Sequence, residues 1–292
     1  MLLRLGLEIA DRLVNALPAR VVYGGADLAG DAWRRLAPRR RRLVAANLAR
    51  VCAATGRPTS GAPFRALVRL AFRNHARYYA EILRTPHYDP DDLDRIVSVP
   101  DWDAYERVLR SGATLVVSAH LGNFEPFAAL IAQRGLRAMA PIEEIEPRAL
   151  FEFLAARRGG GAVELVPLRR SRSALSRRLR EGGVVGVLGD RVIGGGGGVE
   201  VTIFGHPTRI PNGPATLAVT HGAAVIVGCC LRTGPDRFEA FGDVVAVPEG
   251  EERRLTIETL THRLAARFER DIGGAPEQWW GAFQPFWPDL AA

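Results

Sequence analysis

His120 and Glu125 are the residues of this chain whose types and spacing could do chemistry. An imidazole has an ordinary pKa of about 6.5, so it can take a proton from a hydroxyl group near neutral pH. A nearby carboxylate can fix the ring tautomer and stabilise the imidazolium that forms. No serine or cysteine nucleophile is needed if the hydroxyl belongs to the substrate. The pair would therefore support proton abstraction from an alcohol.

The spacing of His120 and Glu125 leaves two interpretations open. A histidine and a glutamate five residues apart occur often by chance, so the spacing alone is weak evidence for a catalytic pair. In the second interpretation Glu125 only favours the start of a helix, where the helix dipole stabilises a negative charge. The two residues by themselves do not decide between these interpretations.

The neighbouring residues indicate how the pair would be positioned. Residues 113–119 form a short apolar run typical of a strand buried on both faces, and residues 121–123 predict a turn. A helical pattern begins at Phe124. A strand that leads directly into a helix puts His120 and Glu125 at the carboxyl edge of a sheet, where open α/β folds build their sites.

Five blocks of sequence carry a resemblance that extends well beyond this pair. They are His120-Leu-Gly-Asn-Phe-Glu125, Pro141-Ile-Glu143-Glu, residues 147–158, Val187-Leu-Gly-Asp190-Arg191, and residues 198–205 leading into 210–215. The first block resembles the His-x4-Asp/Glu signature of glycerolipid and lipid A acyltransferases. In their order and spacing, the blocks are similar to the phosphatidylinositol mannoside acyltransferases of actinobacteria, a branch of the lipid A lauroyl/myristoyl acyltransferase superfamily. The resemblance covers roughly residues 20–290.

The resemblance implies an acyltransferase that moves a fatty acyl chain from acyl-CoA to a sugar hydroxyl of a mannosylated phosphatidylinositol. His120 would be the general base, with Glu125 as its acidic partner. Backbone N–H groups of the turn at Gly122 and Asn123 would stabilise the oxyanion. The residues expected to bind substrate at the acceptor or phosphate region are Asn123, Glu143, Arg158, Asp190 and Arg191.

Two features depart from the family pattern. The family branch has aspartate at the position of Glu125 and glutamate at the position of Asp190, so each carboxylate moves by one methylene. The family loop before the last block is short and polar, whereas residues 194–198 here are five glycines. We interpret this run as a linker, with a lid over an acyl pocket as the alternative.

Two other functions remain compatible with these residues. A lipid A or other lysolipid acyltransferase would share the chemistry and differ in the acceptor, and a non-catalytic lipid-binding protein would share only the fold. A serine hydrolase is disfavoured because the sequence contains no Gly-x-Ser-x-Gly motif. We expect no cofactor and no metal site, with acyl-CoA as a co-substrate.

Length and composition limit the class of protein. The chain has 292 residues, of which 47% are hydrophobic and 24% charged, which is ordinary for a globular fold. It contains no run of eighteen apolar residues, so no membrane-spanning helix is predicted, and its first residues do not form a convincing signal peptide. Three cysteines form neither a disulfide framework nor a metal motif, which fits the cytoplasm.

The N-terminal region predicts contact with membranes. Residues 1–50 hold ten arginines and four acids, a difference of 10 − 4 = +6 out of a net charge of +7 for the whole chain. Residues 2–17 predict an amphipathic helix with an apolar stripe formed by Leu3, Leu7, Ala10, Val14 and Leu17. Such a cationic helical annex suits peripheral docking on anionic lipid at the cytoplasmic face, although a core stripe and a solvated charged face fit the same pattern. No nucleic-acid-binding motif is present.

The remaining pattern predicts an α/β fold. Apolar runs typical of strands alternate with helical patterns, which indicates a mixed, largely parallel sheet flanked by helices. We expect an annex over residues 1–90 and an acyltransferase core over 91–292. The predicted strands after the first are 137–142, 162–168, 184–188, 223–231 and an edge strand at 238–247. The predicted helices are 21–36, 38–54, 64–83, 102–109, 147–158, 171–181, 211–221 and 254–272. The aromatic segment 278–287 predicts packing beneath the sheet, with a membrane interface as the alternative.

Overall fold

Strands and helices alternate along most of the chain after its first four helices. A computed structural model describes residues 2–158, 163–193, 197–250 and 252–290, without the side chain of Leu2. The helices are α1 Leu2–Ala16, α2 Ala19–Leu36, α3 Pro38–Ala54, α4 Gly61–Arg84, α5 Pro90–Ile96, α6 Trp102–Arg110, α7 Glu125–Gln133, α8 Arg148–Ala155, α9 Leu168–Arg180, α10 Gly213–His221 and α11 Arg253–Gly274. The strands are β1 Val97–Ser98, β2 Thr114–Ser118, β3 Ala138–Ile142, β4 Val163–Pro167, β5 Val184–Leu188, β6 Gly198–Ile203, β7 His206–Pro211, β8 Ala224–Gly234 and β9 Arg237–Val245.

The described strands form one seven-stranded sheet and a separate hairpin. The order in the sheet is β1-β9-β8-β2-β5-β3-β4, and every neighbouring pair is parallel except β8 and β9. Strands β6 and β7 pair only with each other, in antiparallel orientation. The prediction of a mixed, largely parallel sheet flanked by helices is confirmed.

Strand β2 lies inside the sheet, with β8 on one side and β5 on the other. Its register against β5 runs from Thr114 opposite Val184 to Ser118 opposite Leu188. A strand with parallel neighbours on both sides must be apolar on both faces, which explains the run of residues that predicted it. The carboxyl ends of β2 and β5 therefore lie side by side.

The two faces of the sheet are covered differently. One face is sealed by α9, α10 and α11, whose side chains form one apolar cluster with the alternate strand residues Leu115, Val117 and Val185. The other face carries α6 and α7, which pack on Val184 and Ile226 in a smaller cluster. Several strand residues on this second face remain only partly buried, so it contains an open cleft.

The first helices share the core of the sheet. Val44 and Leu48 of α3 and Phe72 of α4 belong to the same apolar cluster as Leu115 of β2. Among the described residues, no helix combines the length and apolar character that crossing a bilayer requires. The predicted stripe of α1 is divided: Leu7, Ala10 and Val14 are partly buried, whereas Leu3 and Leu17 are exposed.

The sequence pattern was wrong or silent at several places. Strand β9 is not an edge strand, because the two-residue strand β1 pairs with its outer side. The β6–β7 hairpin was not predicted, although Val201 and Ile203 alternate inward as strand residues do. Within the glycine run, Gly198 begins β6, and residues 194–196 lie outside the described residues, so the linker interpretation stays a prediction.

Candidate active site

His120 lies two residues beyond the end of β2, at the carboxyl edge of the sheet. Asp190 lies two residues beyond the end of β5, and because Ser118 is paired with Leu188 the two side chains reach the same level. The Nδ1–H of His120 donates a hydrogen bond to Asp190 Oδ1. The pair is 8% and 1% exposed, respectively. Nδ1 is therefore occupied by an acceptor, which leaves Nε2 as the basic nitrogen of the neutral ring.

The predicted pairing of His120 with Glu125 is wrong. Glu125 begins α7, and its carboxylate accepts a hydrogen bond of 2.8 Å from Arg158 Nε. The carboxylate that occupies His120 Nδ1 comes from a residue far away in sequence, because parallel strands bring their ends together and a helix start leads away from its strand. The same edge argument, applied to two predicted strands, could have selected Asp190.

The environment of Asp190 keeps its carboxylate ionised. Burial acts to raise its pKa, but the charge and hydrogen bonds of His120, with the indole of Trp279, hold the pKa below the ordinary value. Trp279 Nε1–H donates to Asp190 Oδ2 over 3.2 Å. Asp190 thus accepts a hydrogen bond on each oxygen, and it is positioned to stabilise a positive charge on His120.

The aromatic segment near residue 280 closes around His120. The backbone N–H groups of Trp280 and Gly281 both donate to the carbonyl oxygen of His120, over 2.9 and 3.3 Å. The Trp280 ring meets the His120 ring edge to face, with centroids 4.4 Å apart. A Cβ atom added to Gly281 would lie 2.4 Å from Trp279 Nε1, so only glycine fits there. Sequence reasoning missed these residues as site components; their aromatic clustering was the available signal.

Trp279 and Trp287 confirm that at least two aromatic rings of this segment pack inside the protein. They are among the largest fully buried side chains of the described residues. Their rings meet edge to face with centroids 6.2 Å apart, and both belong to the main apolar cluster. The segment therefore serves as part of the core as well as a wall of the site.

A second charged pair lies at the same edge. Arg158 donates to Glu125 and also to the hydroxyl of Tyr78 on α4. Burial raises the pKa of Tyr78, so its hydroxyl stays protonated. Tyr78 stacks on Trp280 at a centroid distance of 5.2 Å, which connects this pair to the His120 pair through one aromatic ring.

The turn after β2 is held by the protein and does not present free donors. The N–H of Gly122 donates to Gln278 O over 3.0 Å, and the N–H of Asn123 donates to Cys230 O over 2.7 Å. The predicted use of these two groups as oxyanion donors is therefore wrong. Gly122 has φ of +71°, and an added Cβ would lie 2.1 Å from the Cys230 oxygen, so the turn requires glycine.

Asn123 is likewise engaged inside the protein. Its Nδ2 donates to Glu81 Oε2 over 2.8 Å, and its Oδ1 accepts from the N–H of Glu125 over 3.0 Å. The residue is 1% exposed. Both ends of the amide fix the turn between His120 and α7, and its role in binding substrate stays a prediction.

The remaining predicted residues form an ion pair at the rim. Arg191 Nη2 donates to Glu143 Oε2 over 2.8 Å, and both side chains are partly exposed. The structure thus brings the predicted residues together in three pairs: His120 with Asp190, Glu125 with Arg158, and Glu143 with Arg191. Within the described ranges, no cluster of three or more His, Cys, Asp or Glu side chains is arranged to hold a metal ion.

An apolar cleft opens beside the Glu125–Arg158 pair, and Trp280, whose ring meets that of His120, also lines it. It encloses about 970 Å³, including its solvent-open mouth, between α7 and the second face of the sheet. The mouth carries Glu125, Arg158 and Tyr78, and the rest of the lining is almost entirely apolar. Leu188 at the end of β5 is 36% exposed here, although parallel sheets are usually buried on both faces. The arrangement suits an elongated apolar group with a polar end at the mouth.

Comparison with known proteins gives a consistent result. The family model described as bacterial lipid A biosynthesis acyltransferase matches residues 5–287. The phosphatidylinositol mannoside acyltransferase of Mycolicibacterium smegmatis is 30% identical over an alignment 298 residues long, which covers 97% of this chain and 90% of that protein. The protein of the same name from Mycobacterium tuberculosis H37Rv is 31% identical over 258 residues, covering 82% of this chain and 75% of that protein.

Proposed function

Because this chain belongs to the bacterial lipid A biosynthesis acyltransferase family, as its sequence blocks predicted, we propose that it transfers a fatty acyl chain from acyl-CoA to a sugar hydroxyl of a mannosylated phosphatidylinositol. The observation that carries the proposal is the His120–Asp190 pair, which contacts Trp280 in the lining of an apolar cleft. A basic nitrogen next to a channel for an apolar chain is the arrangement that acyl transfer to an alcohol requires.

In the proposed reaction, Nε2 of His120 takes the proton of the acceptor hydroxyl. The resulting oxygen nucleophile attacks the thioester carbonyl, the carbon–sulfur bond breaks, and the departing CoA thiolate receives the proton from the imidazolium. Asp190 stabilises the imidazolium between these steps, because its carboxylate is ionised and lies against Nδ1. The revised pair keeps the general-base chemistry predicted from the sequence and replaces only the acidic partner.

The cleft supports an acyl-chain role for the second sheet face. Its apolar lining would replace water around the methylene groups, and each buried methylene contributes about 0.8 kcal/mol to binding. The polar mouth supports binding of the acceptor. Arg158 in the cleft lining and Arg191 at the rim of the sheet are partly exposed, and a guanidinium suits bidentate contact with a phosphate group.

The choice of acceptor rests on the relatives. Two curated proteins named phosphatidylinositol mannoside acyltransferase match most of this chain at 30% and 31% identity. The family model's description names lipid A biosynthesis instead. The chemistry at His120 would be the same for both acceptors, so a direct comparison of acceptors is needed.

Exposed apolar residues on α1 and α2 support peripheral membrane docking. Leu5, Ile9 and Leu13 of α1 lie four residues apart and are all exposed, which places them on one side of the helix. On α2, Leu28 and Leu36 are 72% and 82% exposed. Apolar side chains of this kind, on a region rich in arginine, suit insertion into an anionic interface. An acyl-CoA donor and unpaired cysteines favour the cytoplasmic face.

The test uses purified protein, palmitoyl-CoA and a panel of acceptors in mixed vesicles. We expect release of CoA thiol and an acylated product with the mannosylated phosphatidylinositol in preference to a Kdo-bearing lipid A precursor or a lysophospholipid. His120→Ala should reduce kcat about 1,000-fold, within the range that removal of a general base usually causes. The exposed His262→Ala is the matched control and should keep wild-type activity.

Each alternative has its own outcome in this experiment. Preference for the Kdo-bearing lipid would show that the proposed acceptor is wrong and would leave the proposed chemistry unchanged. Thiol release no faster than background with every acceptor would indicate a lipid-binding protein of the same fold. Activity of His120→Ala within about tenfold of wild type would exclude the general-base role.

A further inference from the structure

The packing of the protein does not explain why a glycine, Gly186, stands in the middle of β5. A glycine inside a strand weakens it, and often marks a place where another backbone or a ligand approaches closely. Two other strand glycines have such a neighbour: a Cβ on Gly228 would lie 2.1 Å from Phe241 O, and one on Gly242 would lie 2.8 Å from Val227 O. A Cβ added to Gly186 would meet no atom within 4 Å.

The empty space at Gly186 belongs to the apolar cleft. Alternate residues of a strand share a face, and Leu188 and Val184, two residues away on each side, both line the cleft together with Gly186. Gly186 is paired with Val116 of β2, and Ala140 of the next strand, β3, also lines the cleft. The wall of the cleft therefore has a gap about halfway down, which we call the notch. There Gly186 has no side chain, and its neighbour Ala140 on β3 has only a methyl group.

We infer that Gly186 sets the usable depth of the cleft and is a specificity-determining residue for the length of the acyl chain. The inference rests on the proposed function, since it places the acyl chain in this cleft. Gly186 lies four residues before Asp190 in the sequence, which corresponds to at most about 13 Å of extended chain. A long chain that starts at the mouth must pass the notch to reach the lower part of the cleft, near Val184 and Ile131. A short chain ends before it.

The test replaces the missing side chain. Gly186→Leu would fill the notch without meeting a neighbouring atom at Cβ, and Gly186→Ala would fill it partly. The matched control is Gly274→Leu, at an exposed glycine ending α11 whose added Cβ also meets nothing within 4 Å. Initial rates are measured with acyl-CoA donors from octanoyl to stearoyl, and thermal melting of each variant reports folding.

We expect Gly186→Leu to lower the ratio of palmitoyl to octanoyl transfer by about tenfold or more, because each excluded methylene costs about fourfold in affinity. Gly186→Ala should give a smaller change in the same direction, and Gly274→Leu no change in the ratio. Equal loss with all donors from a folded Gly186→Leu variant, or an unchanged ratio in both Gly186 variants, would overturn the inference.

Binding of the donors separates this inference from the proposed function. Affinities of octanoyl-CoA and palmitoyl-CoA are measured by calorimetry with wild type and with both Gly186 variants. If the wild type transfers no acyl group to any acceptor, the proposed function fails. The binding ratio still decides the role of Gly186: a selective loss of palmitoyl-CoA affinity supports it, and unchanged selectivity contradicts it.

Discussion

Two charged pairs lie at the same edge of the sheet, and they are built in different ways. His120 and Asp190 follow neighbouring parallel strands, so the register of the sheet fixes their separation. Arg158 and Glu125 come from the chain after α8 and from the start of α7, and Tyr78 of α4 joins them. The first pair is positioned by the most buried part of the fold. The second depends on how several helices pack together.

This difference indicates a division of roles. A general base requires a fixed distance to its partner and to the reacting hydroxyl, which a strand register provides. Arg158 is partly exposed and lines the cleft, where it would position a substrate rather than move a proton. The comparison therefore predicts that removing Asp190 lowers turnover, whereas removing Glu125 mainly weakens binding.

Asp190→Asn should have the largest effect of the three changes that probe this comparison. The amide carries no charge to stabilise the imidazolium, and its NH2 group can face Nδ1 and favour the wrong tautomer, so we expect kcat to fall about 100-fold. The rate of CoA thiol release at saturating substrates measures the effect. Glu152→Gln, which removes an exposed carboxylate paired with Arg148, is the control and should leave kcat unchanged.

The same variant has an independent pH signature in stability. The pKa of Asp190 lies below its ordinary value in the folded protein, so the ionised carboxylate stabilises the fold above that ordinary value, about 3.9. This contribution is lost as the pH falls through the lowered pKa. The difference in unfolding free energy between wild type and Asp190→Asn should therefore be largest at neutral pH and shrink on acidification. A difference in unfolding free energy that grows on acidification would contradict the lowered pKa of Asp190.

Glu125→Gln should have a smaller effect. The substitution leaves His120 and Asp190 in place and weakens the hydrogen bond from Arg158. We expect KM for the acceptor to rise about tenfold, since one charge-assisted hydrogen bond is worth roughly 1.5–3 kcal/mol, with little change in kcat. Steady-state kinetics with varied acceptor concentration separates the two parameters. A loss of kcat as large as that of Asp190→Asn would remove the distinction between the pairs.

Trp279→Phe should have the smallest effect. It removes the indole N–H that donates to Asp190 Oδ2 and keeps most of the aromatic volume. Because Asp190 Oδ1 still accepts the hydrogen bond from His120, we expect kcat to fall only about threefold to tenfold. This corresponds to the loss of one ordinary hydrogen bond. Trp279 is fully buried, so thermal melting must accompany the rate measurement. No loss of rate in a folded variant would show that the indole only packs.

The fold was largely predictable because its signals are local. The boundaries of β5 were predicted to the residue, and those of β2 and the start of α7 to within one residue, since apolar runs and helix caps act over short stretches. The β6–β7 hairpin and the short strand β1 were missed because their patterns are brief and their pairing is decided by the rest of the sheet.

The site was predictable in part. His120 could be placed from the strand that precedes it, and the charges near strand ends were correctly assigned to one edge. The predicted partner of His120 was wrong because the prediction relied on proximity in sequence and not on the register between strands. The roles of Trp279 and Trp280 could not be read from the sequence, because they depend on a segment that folds back across the sheet to contact β2's end.

That returning segment determines when the site can form during synthesis. A ribosome has already released His120 and Asp190 long before it adds Gly281, and until then the carbonyl of His120 lacks its two donors and Asp190 lacks its indole. Helix α3 depends on the same segment, because Asn47 donates hydrogen bonds to the carbonyl groups of Ala282 and Gln284. A nascent chain that carries both members of the pair therefore lacks these contacts until the segment itself has left the ribosome.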